Sequence, residues 1–231
     1  MIISTFNIQN DFKKYKKDKS KIIYNYLKDN NIDIIGLQEV YYMLNHSLNK
    51  LLKHSYMMKG KYRFFLKLIH LTSNEKTPII SKYKIISHKT YSLPFRPSLL
   101  KRVLTHVIVE YENKQISVYN THLESELNHV KKKQLDKILD VIQKDNLPKI
   151  IFGDFNLKDD NPIFQEFIGN LEKLDITRLP INEATYKFAK SNKAIDHVFY
   201  SNDFVVNSYE VIKNINTSDH YPIIVDLDLK K

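Results

Sequence analysis

The stretch Lys149-Ile150-Ile151-Phe152-Gly153-Asp154-Phe155-Asn156 is an apolar run that closes on a carboxylate and an amide. Pro148 ends the connection before it. The run itself has no polar face, as expected of a strand covered on both sides. A carboxylate at its end is costly to hold beside apolar packing unless a partner compensates it. Asp154 and Asn156 therefore point to a polar pocket at the mouth of a sheet. The same pattern recurs in Thr5-Phe6-Asn7, Leu37-Gln38-Glu39-Val40, Asn120-Thr121-His122-Leu123-Glu124-Ser125, Ile195-Asp196-His197 and Ser218-Asp219-His220-Tyr221-Pro222. Each segment alone reads as an ordinary turn. Together they imply one shared pocket.

Outward from that strand, Ile2 to Ile8 alternates loosely and is rich in β-formers, so it reads as a strand. Ser20 is placed to cap a helix through Asn30, with Ile22, Ile23, Tyr26 and Leu27 on one face. Ile32 to Val40 reads as a buried strand and Met43 to Leu52 as a helix. Strands are expected over Tyr62 to Leu71, Pro78 to Ser87, Val103 to Tyr111 and Ile116 to His122. Ser125 opens the clearest helix, to Lys144, in which Leu127, Val130, Gln134, Leu135, Ile138, Val141 and Ile142 recur at helical spacing. The run Lys131-Lys132-Lys133 reads as its solvated face. Ile195 to Tyr200 and Tyr221 to Leu229 close the chain as strands. Strands outnumber helices and the two do not strictly alternate. The expected architecture is an α/β layered sandwich with mixed sheets.

The 231 residues form one domain, 1–231, with no linker composition and no sequence-level repeat. Apolar runs are too short to span a bilayer. The N-terminus shows no secretory pattern, so an intracellular, non-secreted protein without membrane association is expected. There is no cysteine, which rules out disulfides and thiolate metal sites. With only four glycines, a glycine-rich phosphate loop is excluded. The net charge of +10 suits a polyanionic partner, although the lysine- and asparagine-rich, arginine-poor composition also reads as codon bias. No helix shows an extended coiled-coil seam, so a monomer is expected.

The ordered set Asn7, Gln38-Glu39, Asn120-x-His122, Gly153-Asp154-x-Asn156, Asp196 and Ser218-Asp219-His220 resembles the endonuclease/exonuclease/phosphatase superfamily over residues 2 to 229. The resemblance implies a DNase I-like four-layer αββα sandwich, two mixed β-sheets flanked by helices, and a Mg²⁺-dependent phosphodiesterase, with Mn²⁺ as a substitute. It makes Glu39 the principal metal ligand, with Asn7 beside it and Asp219 facing the metal's water shell. Hard carboxylate oxygens suit Mg²⁺. Asp154 would orient and deprotonate the attacking water and Asn156 would fix its geometry. His220, held cationic by Asp196, would donate to the phosphate, and His122 and Asn120 would add donors. Phosphodiester cleavage develops charge on several oxygens, so positioned cations and donors are what it requires.

Within the superfamily, His122-Leu123-Glu124-Ser125, Gln134-Leu135, Gly153-Asp154-Phe155-Asn156-Leu157-Lys158-Asp159, Leu93-Pro94-Phe95, Lys101-Arg102-Val103-Leu104 and Thr185-Tyr186 are similar to the tyrosyl-DNA phosphodiesterase 2 group. That similarity implies DNA or other nucleic acid bearing a 5′-phosphoester adduct as partner. It implies Asn120, Lys158, Arg102 and Tyr186 as substrate contacts. Lys158 stands where the group has arginine, Tyr186 where it has tryptophan, and Gln9 where it has aspartate. Lysine gives up the planar stacking of arginine. The rival readings are an abasic-site or other endonuclease or exonuclease, a sphingomyelinase or inositol-phosphate phosphatase, and a catalytically silent nucleic-acid-binding protein. His197, beside Asp196, reads as a structural neighbour. His46, His54, His70, His88, His106 and His129 carry no assignment.

Overall fold

The computed structural model describes residues 1–9, 19–40, 42–52, 57–59, 77–95, 101–188 and 193–231. Their order is β1 (Ile2–Asn7), α1 (Lys19–Asp29), β2 (Ile34–Gln38), α2 (Tyr42–Leu52), β3 (Met57–Lys59), β4 (Ile79–Ser81), β5 (Ile85–Ser92), β6 (Val103–Tyr111), β7 (Lys114–His122), α3 (Asn128–Ile142), β8 (Lys149–Asp154), α4 (Pro162–Glu172), β9 (Ile176–Arg178), β10 (Asp196–Ser201), β11 (Phe204–Val211) and β12 (Ile223–Leu229).

The strands form two six-stranded sheets, ordered β11-β12-β1-β2-β4-β3 and β5-β6-β7-β8-β10-β9. Each is mixed. One parallel pair, β1/β2 or β7/β8, lies at the middle among antiparallel neighbours. A parallel pair needs a crossover, and α1 and α3 supply the two.

Strand periodicity sorts the apolar residues into three cores. Ile3 and Ile34 face Ile150, Phe152 and Val198 between the sheets. Phe6, Ile35 and Leu37 pack beneath α1 and α2 with Ile23, Leu27 and Leu48. Tyr119, Ile151 and Phe199 pack beneath α3 and α4 with Leu135, Ile138 and Phe164. Three cores between four layers make the αββα sandwich. Gly36 lets the sheets close, because a Cβ there would lie 2.0 Å from Phe152 Cε2 and 2.7 Å from Asn120 Cγ. Among the described residues no helix is long and apolar enough to cross a membrane.

Several boundaries depart from the sequence reading. Residues 62–71 lie outside the described residues. Ser20 sits inside α1 rather than ahead of it. The helix expected from Ser125 begins at Asn128, with Leu127 as an N-cap that makes no side-chain capping bond. Pro78 to Ser87 divides into β4 and the start of β5. Helix α4 and strands β3, β9 and β11 lie outside the elements read from the sequence. The signal for α4 is present, since Asn161 caps it through Ile163 N–H, Pro162 opens it, and Phe164, Phe167, Ile168 and Leu171 form its buried face.

Candidate active site

Both parallel pairs end at the same edge of the sandwich. The last register pairs are Asn7 with Gln38 and His122 with Asp154. Three polar residues just beyond the strands have left-handed backbone: Gln9 (φ 49°), Glu39 (φ 58°) and Asn156 (φ 51°). That conformation is costly for non-glycine residues and gathers at functional sites. Gly153, with φ 147°, admits Asp154 to the pocket, since a Cβ there would lie 2.1 Å from the Thr121 carbonyl oxygen.

Asn7 joins the two halves. Its Nδ2 donates to Glu39 Oε1 at 3.1 Å and to Asp154 Oδ2 at 2.9 Å, and its Oδ1 accepts from Gln9 N–H at 3.0 Å. Gln9 Nε2 donates to Asp219 Oδ2 at 2.9 Å. Ser218 donates to the Asn7 carbonyl at 2.6 Å, which fixes the Asp219-His220 turn against β1.

Asp154 is 1% exposed, and its Oδ1 accepts the Asn156 N–H at 2.9 Å. His122 Nε2 lies 3.4 Å and His220 Nε2 3.7 Å from Asp154 Oδ2. Burial by itself raises this carboxyl. The two histidines, the Asn7 amide and the Asn156 N–H outweigh it and hold the group below the usual carboxylate range. Asp154 is thus ionised at neutral pH.

His220 Nδ1 meets Asp196 Oδ2 at 2.8 Å. Burial pulls the imidazole down, but Asp196 and Asp154 overcome it and push the pKa up to about 10. Burial lifts the Asp196 carboxyl, and the His220 charge draws it back only in part. The backbone N–H groups of Ile195 and Asp196 are fixed by Thr185 Oγ1. His122 takes a different state. Arg102 Nη1 donates to His122 Nδ1 at 3.0 Å, so the His122 proton sits on Nε2, directed toward Asp154.

Asp154, Asp196 and His220 place ligand-type atoms within 4.8 Å of one another. They make a poor metal cage, because a protonated imidazole between two carboxylates has no lone pair to offer. Glu39 and the Gln9-Asp219 pair, both tied to Asn7, offer oxygen donors that suit a hard divalent cation better. Gln9 Oε1 is buried without a hydrogen-bond partner, and all the donors there are oxygen.

The structure thus brings together Asn7, Glu39, His122, Asp154, Asn156, Asp196, Asp219 and His220. Tyr186 joins them through a bridge to His220, with ring centroids 5.1 Å apart. Arg102 reaches the site through His122. Asn120 is a correction. It is fully buried, accepts from Gln38 at 2.7 Å, and donates to the carbonyls of Leu37 and Pro78 at 2.9 and 3.0 Å. Its hydrogens tie the sheets together and are not directed at a phosphate. Lys158 is half-buried two residues beyond Asn156, and its carbonyl accepts the Asn161 N–H. His197, fully buried, donates to the Leu157 carbonyl at 2.8 Å, and burial pushes its pKa down to about 3, in keeping with a structural role.

Lys131 is the second correction. It is 5% exposed, and its Nζ donates to the Asn156 carbonyl at 2.9 Å. Burial lowers its pKa, against the attraction of Glu124 and Asp154. The first lysine of the run is therefore inside, under the catalytic loop, and only its neighbours face water. Its place three residues before Gln134 and four before Leu135, on the buried stripe, was the available signal.

The endonuclease/exonuclease/phosphatase family model matches residues 4–220. No curated protein matches the chain in sequence. An endonuclease/exonuclease/phosphatase from Bacteroides vulgatus superimposes with a TM-score of 0.82 at 22% identity, covering 99% of this chain and 98% of the other. The mannosyl-6-phosphatase Bt3783 of Bacteroides thetaiotaomicron gives 0.78 at 18%, covering 99% and 100%. A humanized D. rerio TDP2 gives 0.77 at 18%, covering 99% and 98%. Members of the family are hydrolases of phosphoester bonds that generally depend on a divalent metal. With two mixed sheets, crossover helices and strand-end carboxylates gathered at one edge, the chain belongs to the endonuclease/exonuclease/phosphatase family.

Proposed function

We propose that the protein is a Mg²⁺-dependent phosphodiesterase that releases the 5′-phosphate of DNA or RNA from a phosphotyrosyl adduct. The observation that carries this reading is the contrast between the two histidines that meet Asp154 Oδ2, His220 and His122. The Tyr186 ring leans on His220, with Phe188 5.6 Å from Tyr186. That aromatic wall suits a phenol. His122 is instead backed by Arg102. A cation there suits the nucleotide side.

Glu39 and Asp219, with the Gln9 and Asn7 side-chain oxygens, would hold the Mg²⁺. When bound, the ion neutralises charge on phosphoryl and leaving oxygens and acidifies water. Asp154, locked by Asn7 and the Asn156 N–H, accepts from the attacking water and aligns it. A carboxylate held below its usual range is a modest base, so alignment is its main contribution. The His220 imidazolium donates from Nε2 to the phosphoryl group, while Asp196 keeps the opposite nitrogen protonated. A tyrosine leaving group has a pKa of about 10 and departs with little help from a strong acid.

A 5′-phosphotyrosyl oligonucleotide incubated with Mg²⁺ is expected to yield a free 5′-phosphate. Parallel reactions take an abasic duplex and mannose 6-phosphate. Efficient turnover of either, with the adduct intact, overturns the assignment. Retention of DNA without turnover of any of the three makes the protein a silent binder.

A further inference from the structure

Beside the site, a groove of 590 Å³ runs between the end of β5 and the first turns of α3. Its floor is Leu93, Pro94 and Val130; its rims carry Phe95, His129, Lys133 and Lys137. No carboxylate lines it among the described residues.

The floor of the groove is tied to the catalytic edge. Ser92 pairs with Val103, and Leu104 with Thr121, next to His122. Leu93 N–H donates to the Arg102 carbonyl at 3.0 Å, and the Arg102 guanidinium holds His122. Gln134 Nε2 donates to the Pro94 carbonyl at 2.9 Å, while its Oε1 accepts from Glu124 N–H. Floor and active site are thus one hydrogen-bonded unit.

We infer that this groove holds the single strand leading away from the scissile phosphate, with Lys133 and Lys137 on its backbone and Phe95 stacking a base. The inference rests on the proposed nucleic-acid substrate. Phe95 is 42% exposed and Lys101 Nζ lies 5.2 Å from its ring centroid, so an aromatic face and a further cation meet at the rim. Lys133 and Lys137 stand one turn apart on the same face of α3, the spacing that lets both reach one strand. Lys137 also meets Asp140 at 2.8 Å, but both are well exposed, so that pair is weak enough to yield to a phosphate. An aromatic platform flanked by cations is how proteins hold single strands without reading sequence. A duplex would present no unstacked base to Phe95.

The test uses the whole protein and a labelled, unmodified single strand of roughly 12 nucleotides, a length within the range of single-strand sites. Anisotropy with Ca²⁺ in place of Mg²⁺ reads binding without turnover. Lys133→Gln combined with Lys137→Gln is expected to weaken binding at low salt. It should also flatten the log affinity against log salt slope by about 0.7 per lysine. Phe95→Ala should cost at least about fivefold with the slope unchanged. Hydrolysis of a small chromogenic phosphodiester should stay at the wild-type rate in both variants. Unchanged strand affinity in both variants overturns the groove, as does an equal loss on the small diester. Because binding is read without cleavage, a protein that fails on the phosphotyrosyl adduct but shows these losses keeps the groove and loses only the proposed reaction.

Discussion

The two sheets have the same plan and carry different chemistry. In each, a parallel pair joined by a helix lies third and fourth in the strand order, and both pairs end at one edge. At the last register position the first sheet places Asn7 beside Gln38, and the second places His122 beside Asp154. The first sheet therefore buries a neutral amide where the second buries a charge. That charge is tolerable because two histidines and the Asn7 amide surround it. The first sheet holds its carboxylate one residue further out, at Glu39, half-exposed on a left-handed turn, where a hydrated cation can reach it. One topology thus supplies a cation-binding half and a water-aligning half, coupled through a single asparagine.

Breaking each half separately gives the largest effects. Asp154→Asn should lower turnover by roughly 10³-fold and leave the half-saturating Mg²⁺ concentration near wild type, since the oxygen cluster is intact. Glu39→Gln should lower turnover by roughly 10²-fold at fixed Mg²⁺, with part of the loss recovered as Mg²⁺ is raised. Metal titrations of both variants decide it. If the two respond alike to added Mg²⁺, the halves do not divide the labour.

A smaller effect sharpens the role of His220. Its folded pKa stands at about 10, above the unfolded value near 6.5, so the imidazolium persists until the pH rises through about 10. Asp196→Asn removes the largest of the charges that raise it. The alkaline limb of kcat/KM should then move to lower pH by at least about one unit, with little loss near pH 8 and a loss that grows toward roughly tenfold above pH 10. An unmoved limb would mean that activity does not depend on the His220 proton.

What the sequence made legible was the set of groups that sit at strand ends. Asp154 and Glu39 each follow an apolar run and His220 precedes one, and burying such a run leaves its polar end only one place to go. Less was legible where a polar side chain serves packing. Asn120 has the residue type of a phosphate donor but spends its hydrogens on two carbonyls across the sheet gap, a use that only the register of two strands distant in sequence reveals. Strand β11 lies at a sheet edge and exposes half of its residues, so its apolar alternation is weak. Lys131 was hidden by its neighbours, because three adjacent lysines look alike until helical phase separates them.

That phase also exposes a second correspondence between the halves, and it yields the smallest expected effect. Lys19, in the first turn of α1, is buried and donates to the carbonyls of Ile8 and Gln9, just beyond β1. Lys131, near the start of α3, is buried and donates to the carbonyl of Asn156, just beyond β8. Each crossover helix thus uses an ammonium to clamp a left-handed turn, one on the cation side and one on the water-aligning side. Burying an ammonium is unfavourable in itself, and the lowered pKa of Lys131 records that cost. Lys131→Met keeps the length and the apolar stem and removes the charge. Thermal stability should stay close to wild type while turnover drops about tenfold, equivalent to about 1.4 kcal/mol of transition-state stabilisation. The half-saturating Mg²⁺ should not change. Lys19→Met should instead raise the half-saturating Mg²⁺, because Gln9 and Asp219 share its turn. Calorimetry beside a metal titration separates the two. If both lysine variants lose activity only in proportion to lost stability, the clamps are scaffolding and the correspondence ends at the fold.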